Sequence, residues 1–377
     1  MLAVVMLINR SGTMVLPFLS VYLTSSLGFS VQQAGFILSS FGIGSVIGSY
    51  LGGALSDRYG HFFVQFISLV LSGFIFIYLS GITEYFSLLI GVLALSIIAE
   101  SLRPANATSV SFYARPENVS RAFSLNRMAI NLGFSIGPAI GGLLASIAYR
   151  WLFVADGTTC ILAGIFFFIY FRKRKGYEPH KIRKTEETIK AKSAYRDRKF
   201  LVFVFLSSCF AILFFQLFMS LPLYYREVYQ LSEHKIGGLL AFNGLIVFSL
   251  EMILVYILQR KYNIPTLILI GMVTMAFSFF LLNLYFHNFI LILAMFLLSL
   301  AEIFAMPFMA TFVVQQSSEA NRGSYMGLYT ISFSIAHIFA PVLGATIITH
   351  FGYNTLWWII SFVSILIGIG FYYNTKN

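Results

Sequence analysis

Eight ionisable side chains lie inside otherwise apolar stretches of the chain, and their types are those that move protons or bind charged groups. They are Arg10, Glu100, Arg103, Arg127, Asp156, Glu251, Glu302 and His337. A charge at the centre of a bilayer costs about 2.5–3.5 kcal/mol. We therefore expect these groups to face a wet cavity or to pair with one another.

Glu302 is the acid best suited to carry a coupling proton, because no base lies beside it in sequence. A buried carboxyl without a basic partner takes up and releases protons near neutral pH. We predict Glu302 as the proton-coupling carboxyl, with Glu251, Glu100 and His337 as further candidates. His337 has an alternative role as a hydrogen-bonded packing residue. We expect Asp156 to form local hydrogen bonds in a structural role.

Glu100 and Arg103 are three residues apart and share a helix face. Arg10 and Arg127 are expected at a similar depth, which leaves three bases against one acid. This cluster predicts either an electropositive site for an anionic substrate group or a structural set of salt bridges. Aromatic residues on the same elements are candidates for the apolar walls of a cavity: Phe18, Tyr22, Phe214, Phe215, Phe218, Tyr224 and Tyr225.

The composition determines which elements position these residues. The 377 residues are 58% hydrophobic and only 10% charged, whereas a soluble domain carries about 25% charged residues. The apolar runs are near-continuous, which favours helices over a β-barrel. We predict an all-α integral membrane protein with two pseudo-symmetric six-helix bundles around a central cavity. Its twelve spans, numbered 1 to 12, are 2–24, 33–56, 62–81, 86–111, 119–147, 151–172, 200–224, 235–258, 265–283, 289–314, 323–349 and 354–373.

Basic residues are distributed unevenly between the turns. Nineteen of the 25 Lys and Arg residues fall on one side of the predicted membrane and three on the other, with twelve in the segment 172–199. The positive-inside rule places that side in the cytoplasm, together with both chain ends. The net charge of +11 then reports the topology of a multi-pass protein of the cell membrane, and we expect no nucleic-acid partner.

The chain repeats itself at an offset of about 202 residues. The matching segments are 30–35 and 232–237, 55–60 and 258–263, 104–108 and 307–311, and 137–142 and 340–345. We therefore predict an N-terminal bundle over 1–173, a basic linker over 174–198 and a C-terminal bundle over 199–377. A duplicated six-helix unit is the plan of many secondary transporters.

Two motifs make the chain resemble the major facilitator superfamily. The first is Gly53-Ala-Leu-Ser-Asp-Arg-Tyr-Gly60, although His61 and Phe62 stand where that family usually has basic residues. The second is Gly133-Phe-Ser-Ile-Gly-Pro-Ala-Ile-Gly-Gly142, which is similar to the pattern of the drug:proton antiporter branch. The resemblance implies alternating access, with the first motif (Gly53, Asp57, Arg58 and Gly60) locking the cytoplasmic side. The family's usual Arg followed by Gln-Gly in span 4 is absent, since Pro104 follows Arg103.

Both motifs also have a local physical interpretation. Gly53 permits close approach of a neighbouring helix, and Asp57 is placed to cap a helix or to pair with Arg115 or Arg121. The alternative for this loop is a simple tight turn. The motif of span 5 forms a flat stripe from Gly133, Gly137, Gly141 and Gly142, bent by Pro138, which we expect to face the opposite half. The alternative is ordinary small-residue packing.

These features favour a secondary transporter over an enzyme, because the sequence lacks nucleotide-binding, zinc-protease and serine-hydrolase motifs. The first hypothesis is proton-coupled export of small amphipathic compounds. The second is proton-coupled uptake of a polar or anionic nutrient such as a peptide, sugar or organic anion. We expect a monomer in the lipid bilayer that takes a small-molecule substrate and uses the proton gradient, with no cofactor and no metal.

Overall fold

The computed structural model describes residues 1–115, 118–174, 194–284, 288–317 and 321–376, and these residues form helices and no strand. The predicted all-α membrane fold is confirmed. The helices are α1 Leu2–Ser11, α2 Val15–Val21, α3 Val31–Tyr59, α4 His61–Leu79, α5 Tyr85–Glu100, α6 Leu102–Tyr113, α7 Val119–Ile147, α8 Arg150–Phe171, α9 Arg198–Phe214, α10 Gln216–Glu227, α11 Glu233–Leu258, α12 Ile264–Leu281, α13 Asn288–Gln316 and α14 Arg322–Lys376. A π-helical turn, Tyr22–Ser26, extends α2.

In the described part of the chain, eleven helical segments are long and apolar enough to cross a membrane. The last of them holds two spans, because Gly352 has a φ of 80° and is not helical. A left-handed φ is inexpensive for glycine, so the chain turns there between spans 11 and 12. Twelve spans result, as the sequence predicts.

Three spans predicted as continuous helices are interrupted. Span 1 divides at Gly12–Met14, span 4 at Ser101 and span 7 at Phe215. Pro17 and Pro104 lie in the first turns of the new helices α2 and α6, where a proline ring costs least because the helical bond that it excludes is missing there anyway. The interruption at Phe215 comes 202 residues after Thr13, so the repeat preserves this feature in spans 1 and 7.

Helix starts on the surface follow local sequence signals. Ser30 and Gln33 form a reciprocal capping box at the start of α3, a pair that satisfies two amide groups at once. Glu84 caps α5, and its hydrogen bonds from the hydroxyl and amide of Ser87 hold the pKa of this carboxyl below its usual range. Asn263 caps α12, whose second residue is Pro265. These caps fix where spans 2, 4 and 9 begin.

The chain divides into two compact units. The first contains the described residues of spans 1 to 6 together with Phe218–Gly244, and the second contains the remainder. Within the first unit, span 1 packs on spans 5 and 6, span 2 on span 4, and span 3 on span 6. Within the second unit, span 9 packs on span 10, and α14 packs on spans 7 and 9. Most of the predicted linker, residues 175–193, lies outside the described residues.

Candidate functional site

The first unit brings together three of the four predicted members of the charged cluster. Arg103 Nε lies 2.6 Å from Oε2 of Glu100, which is only 4% exposed. Arg10 is close enough to interact electrostatically with both residues, and its guanidinium lies 5.5 Å from the ring centre of Phe134. Two bases therefore surround one buried acid, which leaves local positive charge. Arg127 is exposed and has an interaction partner of its own.

The Glu100–Arg103 pair spans the interruption of span 4, which packs on a glycine face of span 2. The Ser101 hydroxyl donates to the Gly48 carbonyl at 2.9 Å. A Cβ atom on Gly52 would lie 2.5 Å from the Ser101 carbonyl oxygen, and Gly44 and Gly48 approach span 4 equally closely. This corrects our expectation for Gly53, around which no heavy atom lies within 4 Å of a Cβ position. A helix turns about 100° per residue, so Gly53 lies off this face.

Asp57, Arg58 and Gly60 of the first motif are exposed. Asp57 is exposed and forms no hydrogen bond or ion pair with another side chain that the structure describes. Pairing with Arg115 is therefore not observed, and the side chain of Arg121 lies outside the described residues. Arg58 lies 5.2 Å from the ring centre of Tyr59, and Gly60 has a φ of 87°, as a tight turn into α4 requires.

Asp156 of span 6 binds the interruption of span 1. Its Oδ1 accepts the Met14 amide at 3.0 Å, and its Oδ2 accepts the Val15 amide at 3.0 Å. The side chain is 2% exposed. Our expectation that Asp156 makes local hydrogen bonds is wrong in one respect, because its partners are about 140 residues away in sequence. Asp156 bonds to this distant segment because the first amides of α2 lack acceptors within their own helix.

The glycine stripe of span 5 contacts two different spans. A Cβ atom on Gly133 would lie 2.6 Å from Arg10 Cβ, and one on Gly137 would lie 2.8 Å from the Thr13 carbonyl oxygen. Gly141 meets Met14 in the same way. These three glycines therefore face span 1 of their own half, whereas our expectation was the opposite half. Gly142 lies against Gly237 at the start of span 8.

A polar cluster joins the turn between spans 5 and 6 to the turn between spans 7 and 8. The Tyr149 hydroxyl donates to Glu233 Oε1 at 2.9 Å, and Arg226 Nη2 lies 3.4 Å from the same oxygen. Arg226 also donates to the Leu231 carbonyl at 3.2 Å. Burial and the bond to Glu233 raise the pKa of the Tyr149 phenol above its usual value. The sequence motifs did not indicate this cluster.

The second unit contains Glu251, Glu302 and His337. All three are half-buried, and each interacts with other groups. The His337 ring stacks on Phe215, with the ring centres 4.2 Å apart. Next to Phe215, Gln216 Nε2 donates to the Ala340 carbonyl at 2.9 Å. The interruption of span 7 is therefore bound to residues 340–345 of span 11, the segment that corresponds to residues 137–142 of span 5 in the sequence repeat.

Most of the aromatic wall candidates are core residues. Phe18, Phe214, Tyr224 and Tyr225 are at most 3% exposed. Tyr22 is 6% exposed and packs on Tyr149 and Phe153, which leaves Phe215 and Phe218 half-buried. A cavity of about 570 Å³ lies instead near the N-terminus, lined by residues such as Leu2, Val110, Leu125 and Arg174. None of the predicted site residues lines it.

Among the described residues, no group of three or more His, Cys, Asp or Glu side chains is arranged to hold a metal ion. The remaining chemistry consists of charged and polar groups inside interrupted membrane helices. Such groups bind solutes and ions in secondary transporters. The fold and these sites together define a membrane transport protein.

Comparisons with known proteins specify the family. The profile described as Major Facilitator Superfamily matches residues 1–336 and 250–376. The chain belongs to this superfamily, whose members are transporters and not enzymes.

Individual relatives are distant. The chain is 24% identical over 372 residues to a Na(+), Li(+), K(+)/H(+) antiporter of Planococcus maritimus, covering 89% of this chain and 85% of that protein. It is 29% identical over 177 residues to a multi-drug resistance efflux pump PmrA homolog of Lactococcus lactis, covering 46% and 44%. An auto inhibited POT family peptide transporter has a similar structure, with a TM-score of 0.83, 15% identity and coverage of 100% and 96%.

Proposed function

We propose that this transporter exports small amphipathic compounds in exchange for protons, by alternating access. The observation that carries the proposal is the packing of the span 5 motif. Gly137 lies against the interruption of span 1, while Gly142 lies against Gly237 of span 8. Backbones that meet at glycines can slide past one another with little side-chain rearrangement. The names of the relatives, an efflux pump homolog and a proton antiporter, agree with this direction.

A second candidate function is proton-coupled uptake of a polar or anionic nutrient. The observation that favours it is the charge balance around Glu100, where Arg10 and Arg103 both approach one acid. Two bases against one carboxylate leave a net positive site that suits a substrate carboxylate or phosphate. The two functions differ in the direction of the proton gradient that drives transport.

Transport into proteoliposomes distinguishes these functions. Norfloxacin is a suitable probe, because it is amphipathic and carries a carboxylate, and because Staphylococcus aureus quinolone resistance protein NorA is 30% identical over 156 residues. Export by antiport predicts accumulation when the lumen is acid, with none after a protonophore and none in protein-free liposomes. Accumulation driven by acid outside the vesicles would instead establish symport.

Glu302 is our proposed coupling carboxyl, with Glu251 as the second candidate and Glu100 and His337 behind them. Glu302→Gln should abolish gradient-driven accumulation of norfloxacin while sparing exchange of labelled for unlabelled drug. Glu227→Gln is the matched control, because Glu227 is an exposed carboxyl at the end of α10. Full gradient coupling in the Glu302 variant would exclude the role.

We further propose that the linker and both chain ends face the cytoplasm, as the positive-inside rule predicts, and that the protein acts as a monomer powered by the proton gradient alone. A cysteine at Lys184 in the linker should react with an impermeant maleimide only in opened cells. A cysteine at Gly81, in the turn between spans 3 and 4, should react in intact cells. The reverse pattern would invert the topology.

A further inference from the structure

The interruption of span 1 leaves the first amides of α2 inside the membrane without a helical acceptor. The first amides of any helix lack intrahelical acceptors, and an unsatisfied amide in lipid costs several kcal/mol. The residue before α2 is Met14, whose side chain accepts no hydrogen bond. An acceptor must therefore come from another span.

Asp156 supplies that acceptor. Both oxygens are used, one at 3.0 Å from the Met14 amide and the other at 3.0 Å from the Val15 amide. The Met14 amide also lies 2.8 Å from the Gly12 carbonyl oxygen. Among the described residues, no base forms an ion pair with Asp156, so its side-chain contacts across to span 1 are these two backbone amides.

The same interruption places Arg10. Gly12 packs directly against Thr159, one turn beyond Asp156 in span 6, and Gly133 of span 5 packs against the Arg10 backbone and Cβ. Arg10 lies in the last turn of α1, two residues before Gly12, and interacts electrostatically with Glu100 and Arg103. A rotation of the chain at Gly12–Met14 would therefore turn the Arg10 side chain away from that pair.

From this geometry we propose that Asp156 is a positioning residue for substrate binding. By holding the Met14 and Val15 amides, it fixes the interruption of span 1 and, through it, the Arg10 guanidinium beside the Glu100–Arg103 pair. The substrate class is an amphipathic molecule with an anionic group, which Arg10 pairs with. This inference rests on the proposed function for the amphipathic substrate, and it adds the Arg10 cluster as the place where the anionic group of that substrate binds.

The repeat supports a role for the interruption itself. Span 7 is interrupted at Phe215, the position that corresponds to Thr13. In span 1 the interrupted span donates backbone amides to a side chain of another span. In span 7 the interrupted span supplies the side chain instead, and Gln216 donates to the Ala340 carbonyl of span 11. Both units therefore fix the interruption of their first span by a side-chain hydrogen bond between spans, and the first unit uses a carboxyl group for it.

Hydrogen–deuterium exchange of the reconstituted full chain tests, without any substrate, whether Asp156 holds the Met14 and Val15 amides. Asp156→Ala should speed exchange of the peptide spanning residues 12–16 by about tenfold or more, the effect of leaving a buried amide without its acceptor. Asp156→Asn should give an intermediate value, because the amide keeps one accepting oxygen, whereas its nitrogen can only donate. Cys160→Ala is the matched control, since Cys160 is buried one turn away and contacts Asn9 of α1, and it should leave exchange at 12–16 unchanged.

Norfloxacin transport tests the positioning role. Both Asp156 variants should raise the KM for norfloxacin, more in Ala than in Asn, with the maximal rate within about twofold of wild type, because binding and not turnover depends on Arg10 placement. A rise in exchange that is spread evenly over the first unit would overturn the inference, and so would an unchanged KM. If Asp156→Ala does not fold, the Asp156→Asn variant alone decides. A wild-type protein that does not transport norfloxacin refutes the proposed function. The exchange measurement still decides whether Asp156 holds the Met14 and Val15 amides.

Discussion

The hydroxyl of Tyr149 donates a 2.9 Å hydrogen bond to Glu233, which joins two turns that are 84 residues apart in sequence. Tyr149 lies between spans 5 and 6, and Glu233 is the first residue of α11. Arg226 approaches the same carboxylate oxygen at 3.4 Å. This side-chain contact lies close to the glycine contact between Gly142 and span 8, whose nearest atoms include the Glu233 carbonyl oxygen.

Tyr149→Phe should lower the free energy of unfolding of the purified protein by about 1 kcal/mol, the usual net value of one hydrogen bond. The pKa of Tyr149 is raised by burial and by Glu233. A raised pKa means that the contribution is fully present below the ordinary phenol pKa of about 10 and is lost as the pH rises through the folded value. The difference from wild type should therefore stay constant between pH 6 and 9.

Thermal unfolding in detergent across that pH range checks this prediction. Tyr78→Phe is the control, because Tyr78 is 69% exposed and its change should have no measurable effect. A Tyr149→Phe difference that disappears between pH 7 and 9 would contradict the assignment of Tyr149 as the donor.

Gly237→Ala should destabilise the protein, whereas Gly238→Ala should not. A Cβ atom on Gly237 would lie 2.9 Å from Gly142 Cα, while no heavy atom lies within 4 Å of a Cβ position on Gly238. Overpacking of this kind typically costs about 1–3 kcal/mol. The two neighbouring substitutions have the same helix propensity gain, so their difference in melting temperature isolates the contact. Equal melting temperatures would show that spans 5 and 8 do not meet at Gly237.

Arg103→Gln should destabilise more than Glu100→Gln. Glu100 is 4% exposed, so losing Arg103 leaves a buried carboxylate with Arg10 as its remaining nearby base. The Arg103 side chain is 46% exposed, so the cost falls below the 3–5 kcal/mol of a fully buried pair, and we expect about 2 kcal/mol. Glu100→Gln leaves a solvated guanidinium and should cost less than about 1 kcal/mol. Denaturant titration of both single variants and the double variant checks the order, which the reverse ranking would refute.

Tyr325→Phe should weaken the start of span 7. Asp197 caps α9 through the Phe200 amide, and the Tyr325 hydroxyl donates to the buried Asp197 carboxylate at 2.9 Å. A hydrogen bond to a charged group contributes about 1.5–3 kcal/mol, and the loss should appear in the unfolding midpoint. Tyr373→Phe, at a position that is 70% exposed, should leave the midpoint unchanged. Identical midpoints for the two variants would remove Tyr325 from this role.

Asp197 also illustrates a limit of sequence-based prediction. It lies in a segment that composition alone describes as a basic linker, yet it is 2% exposed. Its carboxylate accepts bonds from Gln316 and Tyr325, which are more than 100 residues away. Composition records how polar a segment is, but the partners of a single carboxylate depend on which distant helix ends meet it.

The spans themselves were predictable because a membrane imposes one strong condition. Each span needs about 20 apolar residues and must satisfy its own amides, so apolar runs mark helices directly. The repeat and the two glycine motifs were also visible in the sequence, because their residues stand at fixed spacings. Pro17 and Pro104 lie just after the interruptions of spans 1 and 4, but Pro138 and Pro307 lie inside unbroken helices, so a proline alone does not locate an interruption.

The sequence by itself determined the twelve spans, the duplicated plan and the membership of a transporter superfamily, because all of these depend on composition and local periodicity. Only the tertiary structure decided which faces meet. It turned Gly133, Gly137 and Gly141 towards span 1, moved the close contact of span 2 from Gly53 to Gly52, and placed Asp156 on the amides of Met14 and Val15. Such contacts depend on how each helix is rotated about its axis. Neighbouring residues point about 100° apart around a helix, and a run of apolar residues does not specify which of them faces a given neighbour.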